Sequence, residues 1–288
     1  MTGRPELDKP DAWAGGRRPE INKATRLCIS LAARPSNHGT RFHNRLYDEF
    51  GLDFVYKAMT TTDIGAAIAG VRALGIRGCS VSMPWKEDVI PLVDELTPSA
   101  AAIQSVNTIV NDDGALSAYN TDYLAIEQLI GTHGLDRDQT VILRGSGGMA
   151  RAVAFAFRDA GFAGTIAARN RAAGPRLAGE LGWEWVESPE GLSAPIIVNV
   201  TPIGMAGGTD AGQQAFSDEQ VAQASVVFDV VALPVETPLI RAARVAGKHV
   251  VTGGEVIALQ AAAQFALYTG VTPSPEQVAA AEAYASQS

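Results

Sequence analysis

The sequence predicts an α/β protein of two domains. Short apolar segments of strand length alternate with amphipathic segments along the chain, as in proteins with parallel strands and crossover helices. One apolar segment ends in a glycine-rich turn and leads into an Ala-rich segment, which is a strand–turn–helix pattern. The chain of 288 residues exceeds the usual size of one domain, so two domains are expected.

In the first half of the chain, apolar runs bounded by turn residues predict strands, and 3.6-residue periodicity predicts helices. Thr62 or Asp63 is a plausible N-cap for the second helix. An Asn-Asp-Asp-Gly turn joins the last two strands as a hairpin. The expected strands are 26–32, 54–59, 78–83, 106–110 and 115–119, and the expected helical segments are 43–50, 62–74, 99–105 and the connecting segment 122–130.

The second half repeats strand–helix units and closes with two long Ala-rich helices. The expected strands are 141–144, 165–168, 195–200, 225–231 and 249–252, and the closing helices are 255–268 and 275–286.

Composition excludes several classes of function. A formal charge of −8 and an isoelectric point of about 5.1 argue against nucleic acid as the main partner. No apolar run approaches the roughly 20 residues that span a bilayer. Residues 1–20 lack the apolar core of a secretory signal and read as a flexible extension, so a cytoplasmic location is expected.

Cysteine and histidine give no metal signature. Cys28 and Cys79 lie in apolar strand-like runs and are expected to be buried thiols. His43 is expected to be structural, and His38, His133 and His249 look scattered along the chain. Since no group of these residues has ligand spacing, no metal is expected.

The glycine-rich turn follows the strand 141–144. Gly145, Gly147 and Ala150 fill the G-x-G-x-x-A positions of a dinucleotide-binding turn, in which the first glycine allows the tight turn and the second admits a pyrophosphate. The N–H groups at the start of the next helix then point at the anion. A glycine turn that binds nothing is the alternative. The predicted cofactor contacts are Gly145, Ser146, Gly147, Gly148, Met149 and Ala150.

A basic segment follows the next strand. Arg169 lies 22 positions after Gly147, about where an NAD enzyme places an acidic residue against the ribose 2′-hydroxyl. A guanidinium suits a 2′-phosphate instead, so the sequence favours NADP(H), with Asn170 and Arg171 as neighbouring contacts. A solvated surface arginine is the alternative.

Several further motifs occur in a fixed order along the chain. They are Ser82-Met83-Pro84-Trp85-Lys86-Glu87, Ser105-Val106-Asn107-Thr108, Asn120-Thr121-Asp122, the loop from Gly145 to Ala150, Asn199-Val200-Thr201-Pro202-Ile203-Gly204-Met205, Phe228-Asp229-Val230, Thr237-Pro238-Leu239 and Gln260. With them the chain resembles the shikimate dehydrogenase family, and more closely its shikimate dehydrogenase-like subgroup, from about Ile21 to the C-terminus.

The resemblance implies a domain order and an activity. A substrate domain at 21–122 is followed by a Rossmann-like NADP domain at 123–255, and helices at 256–288 return to the first domain, with a substrate cleft between the domains. The implied enzyme is a monomeric or homodimeric NADP-dependent alcohol dehydrogenase of aromatic amino acid biosynthesis. Its substrate would be shikimate or a related cyclic polyhydroxy acid.

The resemblance also assigns roles to individual residues. Lys86 and Asp122 would face each other across the reacting hydroxyl. The lysine would donate a proton to the oxygen or polarise it, and the carboxylate would orient the lysine, keep it charged and bind a second hydroxyl. A snorkelling surface lysine and a helix N-cap are the alternatives. The substrate would also contact Ser82, Asn107 and Gln260, and Thr201 would lie beside the nicotinamide ribose, while Asp229 and Thr237 would stabilise loops.

The first substrate loop departs from the family pattern. Asn37 and Gly39 occupy the positions of two serines that bind the substrate carboxylate, and Ala232 replaces a tyrosine. Lost hydrogen bonds of about 0.5–1.5 kcal/mol each predict that shikimate itself binds poorly. An NADP-binding sensor with little catalysis is therefore an alternative, and a folate-type dehydrogenase of similar build is a weaker one.

Overall fold

The computed structural model describes residues 17–286 and divides the chain into two compact units. The first unit runs to Thr121 and resumes at Gln260, and the second contains Asp122–Leu259. The predicted extension at 1–20 lies mostly outside the described residues. The assignment of substrate and cofactor to the two units stays a prediction.

The first unit contains a six-stranded mixed sheet in the order β2-β1-β3-β5-β6-β4. The pairs β1–β2, β1–β3 and β4–β6 are parallel, whereas β3–β5 and β5–β6 are antiparallel. The predicted Asn-Asp-Asp-Gly hairpin joins β5 and β6. The strands are β1 (Arg26–Leu31), β2 (Phe54–Met59), β3 (Gly78–Val81), β4 (Glu95–Leu96), β5 (Thr108–Asp112) and β6 (Ala115–Tyr119).

Helices cover this sheet and enclose an aliphatic core around Val71, Cys79 and Ile109. The Asp63 side chain accepts a hydrogen bond from the N–H of Ala66 and so begins the second helix. A capping box of Ser274 and Gln277 begins the last. The helices are α1 (His38–Glu49), α2 (Ile64–Ala73), α3 (Pro98–Ile103) and α10 (Pro275–Ala285), with a 3₁₀ turn at Ile90–Leu92.

The second unit contains a six-stranded parallel sheet in the order β12-β11-β10-β7-β8-β9. Its strands are β7 (Val141–Arg144), β8 (Gly164–Ala167), β9 (Glu184–Val186), β10 (Ile196–Asn199), β11 (Val226–Asp229) and β12 (His249–Thr252). The helices that follow these strands are α5 (Gly148–Asp159), α6 (Ala173–Leu181), α7 (Asp218–Gln223) and α8 (Pro238–Val245).

Two helices carry the chain from one unit into the other. The helix α4 (Thr121–Thr132) begins at the last residue of the first unit, and α9 (Gly253–Thr269) ends in the same unit. Within residues 17–286, no helix combines the length and the apolarity needed to cross a bilayer.

The α/β class is confirmed, and the differences lie in short or solvated segments. The prediction that the first helix begins at His43 is wrong, because α1 begins at His38. Its buried residues start only at Phe42, so the first turn carries no apolar periodicity. The two- and three-residue strands β4 and β9 are too short to show an alternating pattern. Both cysteines are buried, as predicted.

Candidate active site

In the parallel sheet, the order in which successive strands are added reverses at the first strand, β7. From β7 the chain adds β8 and β9 on one side and then β10, β11 and β12 on the other. In open parallel sheets ligands bind outside the carboxyl ends of the strands at such a switch point. The glycine turn follows β7 and therefore stands at this position.

Gly145 is required by the fold itself. Its φ of +135° is a conformation that L side chains rarely adopt. A Cβ there would lie 2.8 Å from Cγ2 of Val200 and 3.1 Å from the Val200 carbonyl oxygen. The turn after β7 therefore passes directly against the chain leaving β10.

Gly147 has the opposite environment. It is the N-cap of α5 with a φ of −82° and makes no side-chain cap hydrogen bond. A Cβ on Gly147 would meet no described atom within 4 Å. The fold does not require glycine at this position. The space beside Gly147 can hold an anion, to which the first N–H groups of α5 would donate hydrogen bonds.

The three predicted cofactor contacts after β8 differ in whether neighbouring residues already bind their side chains. Arg171 pairs with Glu187 at 2.6 Å, and this guanidinium holds the pKa of the Glu187 carboxyl below its usual range. The Asn170 carboxamide oxygen accepts hydrogen bonds from the N–H groups of Ala172 and Ala173. The exposed Arg169 side chain makes neither an ion pair nor a hydrogen bond within residues 17–286.

Thr201 is held by a buried network that crosses two strands. Its hydroxyl donates to Oδ1 of Asn199 at 2.6 Å, and Nδ2 of Asn199 donates to Oδ1 of Asp229 at 3.0 Å. The Thr237 hydroxyl donates to Oδ2 of Asp229 at 2.7 Å. Asp229 and Thr237 stabilise their loop, as the sequence predicts, and also position Thr201 through Asn199.

Replacing Asp229 with Asn is expected to remove a pH dependence of stability. Burial raises the pKa of this carboxyl from 3.8 to about 6. Between these values the folded protein keeps a proton that the unfolded chain has lost, so stability from this group is full below about pH 4 and falls towards pH 6. The fall is on the order of 2–3 kcal/mol.

Urea unfolding at steps from pH 4 to pH 7 measures this effect. The exposed Asp138→Asn is the matched control, because it removes a carboxyl of the same unit without touching the network. Parallel stability curves for wild type and Asp229→Asn would contradict the assignment.

In the first unit, Asn107 is buried, and hydrogen bonds to its side-chain oxygen fix the orientation of its carboxamide. Its Oδ1 accepts hydrogen bonds from the Thr108 hydroxyl at 2.9 Å and from the N–H and hydroxyl of Thr121 at 2.8 and 3.1 Å. Its Nδ2 has no partner within the described chain. Asn107 therefore offers a ligand a donor only, although a carboxamide can in general both donate and accept.

Backbone hydrogen bonds join Asn107 to the segment that carries Lys86. The Asn107 carbonyl accepts from the N–H of Val81, and the Asn107 N–H donates to the Tyr119 carbonyl. The N–H of Val106 donates to the Lys86 carbonyl at 2.8 Å. Lys86 is half-buried. The sequence segments of Lys86 and Asn107 are thus brought together at the ends of β3 and β6.

Asp122 follows Thr121, whose N–H is bound by Asn107. It is buried and lies in the first turn of α4, where the helix dipole favours a carboxylate. Gln260 lies on α9 and is half-buried.

Sequence reasoning missed Gln264, one turn after Gln260. Its Nε2 donates to the hydroxyls of Thr108 and Thr121 at 3.1 and 3.5 Å, which also contact Asn107. Residues four apart share one face of a helix, so a second glutamine at this spacing could have been recognised.

The residues of the first substrate loop lie at the start of α1. Asn37 is the exposed N-cap and makes no side-chain cap hydrogen bond. Gly39 stands over the Tyr56 ring, and a Cβ there would lie 3.5 Å from it, an ordinary contact. Ser82 is exposed after β3, and its N–H donates to the Leu31 carbonyl.

Two of the histidines that look scattered in the sequence are neighbours in the second unit. Nδ1 of His133 lies 2.8 Å from Nε2 of His249, and Nε2 of His133 lies 2.9 Å from Oε1 of Glu255. Their separation in the sequence therefore does not extend to the fold. Among the residues described, no group of His, Cys, Asp or Glu has the arrangement of a metal site.

Comparisons with known proteins identify relatives of this chain. A family model for the shikimate dehydrogenase substrate binding domain matches residues 36–109. A shikimate dehydrogenase-like protein of Haemophilus influenzae is 56% identical over 266 residues, which cover 92% of this chain and 98% of the relative.

Solved structures show the same fold. That of a shikimate 5-dehydrogenase-like protein has a TM-score of 0.91 at 56% identity, and the match covers 92% of this chain and 99% of the other. A shikimate 5-dehydrogenase from Thermus thermophilus, solved in complex with NADP(H) and shikimate, has a TM-score of 0.78 at 28% identity. This match covers 90% of this chain and 99% of the other. The chain belongs to the shikimate dehydrogenase family.

Proposed function

We propose that the protein is an NADP-dependent oxidoreductase that interconverts a ring hydroxyl and a ketone of shikimate or a related cyclic polyhydroxy acid. The observation that carries this proposal is the buried Asn107 amide, whose one free group is an N–H donor in the segment matching the substrate-binding domain. We place the enzyme in the cytoplasm as a monomer or homodimer.

The second unit has groups that fit NADP. The turn from Gly145 to Ala150 leaves open space beside Gly147, and the first turn of α5 supplies N–H groups for the pyrophosphate. Arg169 supplies a cation that pairs with no carboxylate of the described chain, and the Thr201 hydroxyl is oriented by Asn199. When bound, NADP(H) supplies or accepts the hydride.

The first unit and Asp122 supply the proton chemistry. Lys86 gives a proton to the ketone oxygen during reduction and takes it back during oxidation. Asp122 accepts a hydrogen bond from a substrate hydroxyl and so orients it. Asn107 donates its free N–H to a ring oxygen, and Gln260 binds a second ring hydroxyl.

A panel of cyclic hydroxy acids assayed with NADP⁺ and NAD⁺ tests this function. Turnover of at least one member with NADP⁺ preferred is the expected result. An absence of turnover across the panel, with NADP⁺ still bound, would instead favour a cofactor-binding sensor.

The first substrate loop determines which acid is preferred. The double replacement of Asn37 and Gly39 by serine restores the two hydroxyls, and Gly39 has room for a side chain against Tyr56. We expect this variant to lower KM for shikimate. If wild type already turns shikimate over at kcat/KM of about 10⁴ M⁻¹s⁻¹ or more, the altered-substrate hypothesis is wrong.

The two glycines of the turn are expected to respond differently to alanine. Gly145→Ala should destabilise the protein by about 2 kcal/mol or more, because it combines an unfavourable φ with a close approach to Val200. Gly147→Ala should leave the melting temperature unchanged and weaken NADP⁺ several-fold, because its Cβ enters only the proposed cofactor space. Thermal unfolding and calorimetric titration measure both. Unchanged NADP⁺ affinity in Gly147→Ala would contradict the cofactor position.

A further inference from the structure

Arg144 is a charged residue at the end of a central strand. It is the last residue of β7, directly before the glycine turn, and its neighbours across the sheet are Asn199 of β10 and Ala167 of β8. Its side chain is half-buried, and Nη1 donates to the Ala215 carbonyl. Within residues 17–286 it forms no ion pair.

Arg169 follows the strand β8, which pairs with β7 at Arg144. Ala167 of β8 pairs with Arg144, and Arg169 comes two residues after Ala167. Burial, and then the positive charge of Arg169, lower the pKa of Arg144, while Glu190 and Asp210 act in the opposite direction from beyond ion-pair distance. Five other arginines of this unit have carboxylate partners, namely Arg151, Arg158, Arg171, Arg176 and Arg244, whereas the described residues offer none to Arg137 and Arg241.

A cavity of about 600 Å³ opens at Arg144. This volume is in the range of small-molecule sites. Its lining includes the polar side chains of Ser188, Gln214, Ser217 and Gln220 and the acids Glu190 and Asp218. The only basic side chain in its lining is Arg144.

We propose that Arg144 acts together with Arg169 to hold the 2′-phosphate of NADP, so that this pair selects NADP over NAD. The inference rests on the proposed function. Two guanidinium groups that repel each other in the free protein are both neutralised by one phosphate dianion. NAD lacks that charge and leaves the repulsion in place. Arg171 contributes less, because Glu187 already engages it.

Calorimetric titration with adenosine 2′,5′-bisphosphate and 5′-AMP isolates the 2′-phosphate. Arg144→Leu is expected to weaken the bisphosphate about 10- to 100-fold and to leave 5′-AMP unchanged. Arg144→Lys keeps the charge without the planar fork and should fall between leucine and wild type. Combined with Arg169→Ala, the two losses should be non-additive, because both residues contact one group.

Arg176→Leu is the matched control, since this exposed arginine of the same unit is paired with Glu180. If wild type prefers the bisphosphate and Arg144→Leu retains this preference, the inference about Arg144 is overturned, whereas the proposed cofactor is not. Equal losses for both nucleotides in Arg144→Leu would show a packing role and also overturn it. A larger loss in Arg171→Ala than in Arg144→Leu would do the same. Wild type that binds both nucleotides equally would overturn the proposed cofactor as well.

Discussion

Lys86→Ala is expected to lower kcat by about 10²- to 10⁴-fold, the usual cost of removing one positioned acid–base group. The alanine variant keeps the backbone of the segment, whose carbonyl at position 86 is bound by the N–H of Val106. The loss should therefore come from the missing ammonium. Steady-state assays with the best substrate of the panel measure it.

The exposed Lys57→Ala is the matched control, because it removes a lysine of the same unit on β2. NADP⁺ affinity should be unchanged in both variants, and small primary amines should restore part of the activity of Lys86→Ala alone. Normal kcat in Lys86→Ala would exclude the assigned role.

Asn107→Asp is expected to lower kcat/KM by about 10²-fold, because it exchanges the free N–H for a buried oxygen acceptor. The Oδ1 position, which accepts from Thr108 and Thr121, is retained. The variant therefore changes what the site offers a ligand while it preserves the network that orients the side chain. Steady-state kinetics on the preferred substrate measure the loss.

Asn111→Asp controls for the cost of placing a carboxylate in the core. Asn111 is also buried on β5, but its Nδ2 donates to the Val71 carbonyl and its Oδ1 accepts from Gly114. Both variants should lower the melting temperature, and only Asn107→Asp should lower kcat/KM. Equal kcat/KM in Asn107→Asp and wild type would show that the free N–H does not bind substrate.

Elements with a strong local pattern were predictable. The strands β7 and β12 have the predicted bounds, since each is an apolar run ended by a turn or helix start. The strand β9 was not predictable, because its pairing with β8 decides its conformation and its three residues carry no period.

The sequence by itself determined the α/β class, the glycine turn at Gly145 and the family, because these depend on local periodicity, backbone conformation and short motifs. Only the tertiary structure decided that Arg171 is paired with Glu187, that Arg144 pairs across the sheet with the strand leading to Arg169, and that Asn107 offers a donor alone. Each of these facts depends on a partner from another strand or loop. Ion pairs and hydrogen bonds with spatial neighbours determine which charges and polar groups of a side chain stay available to a ligand. Strand pairing brings those neighbours together from distant parts of the chain.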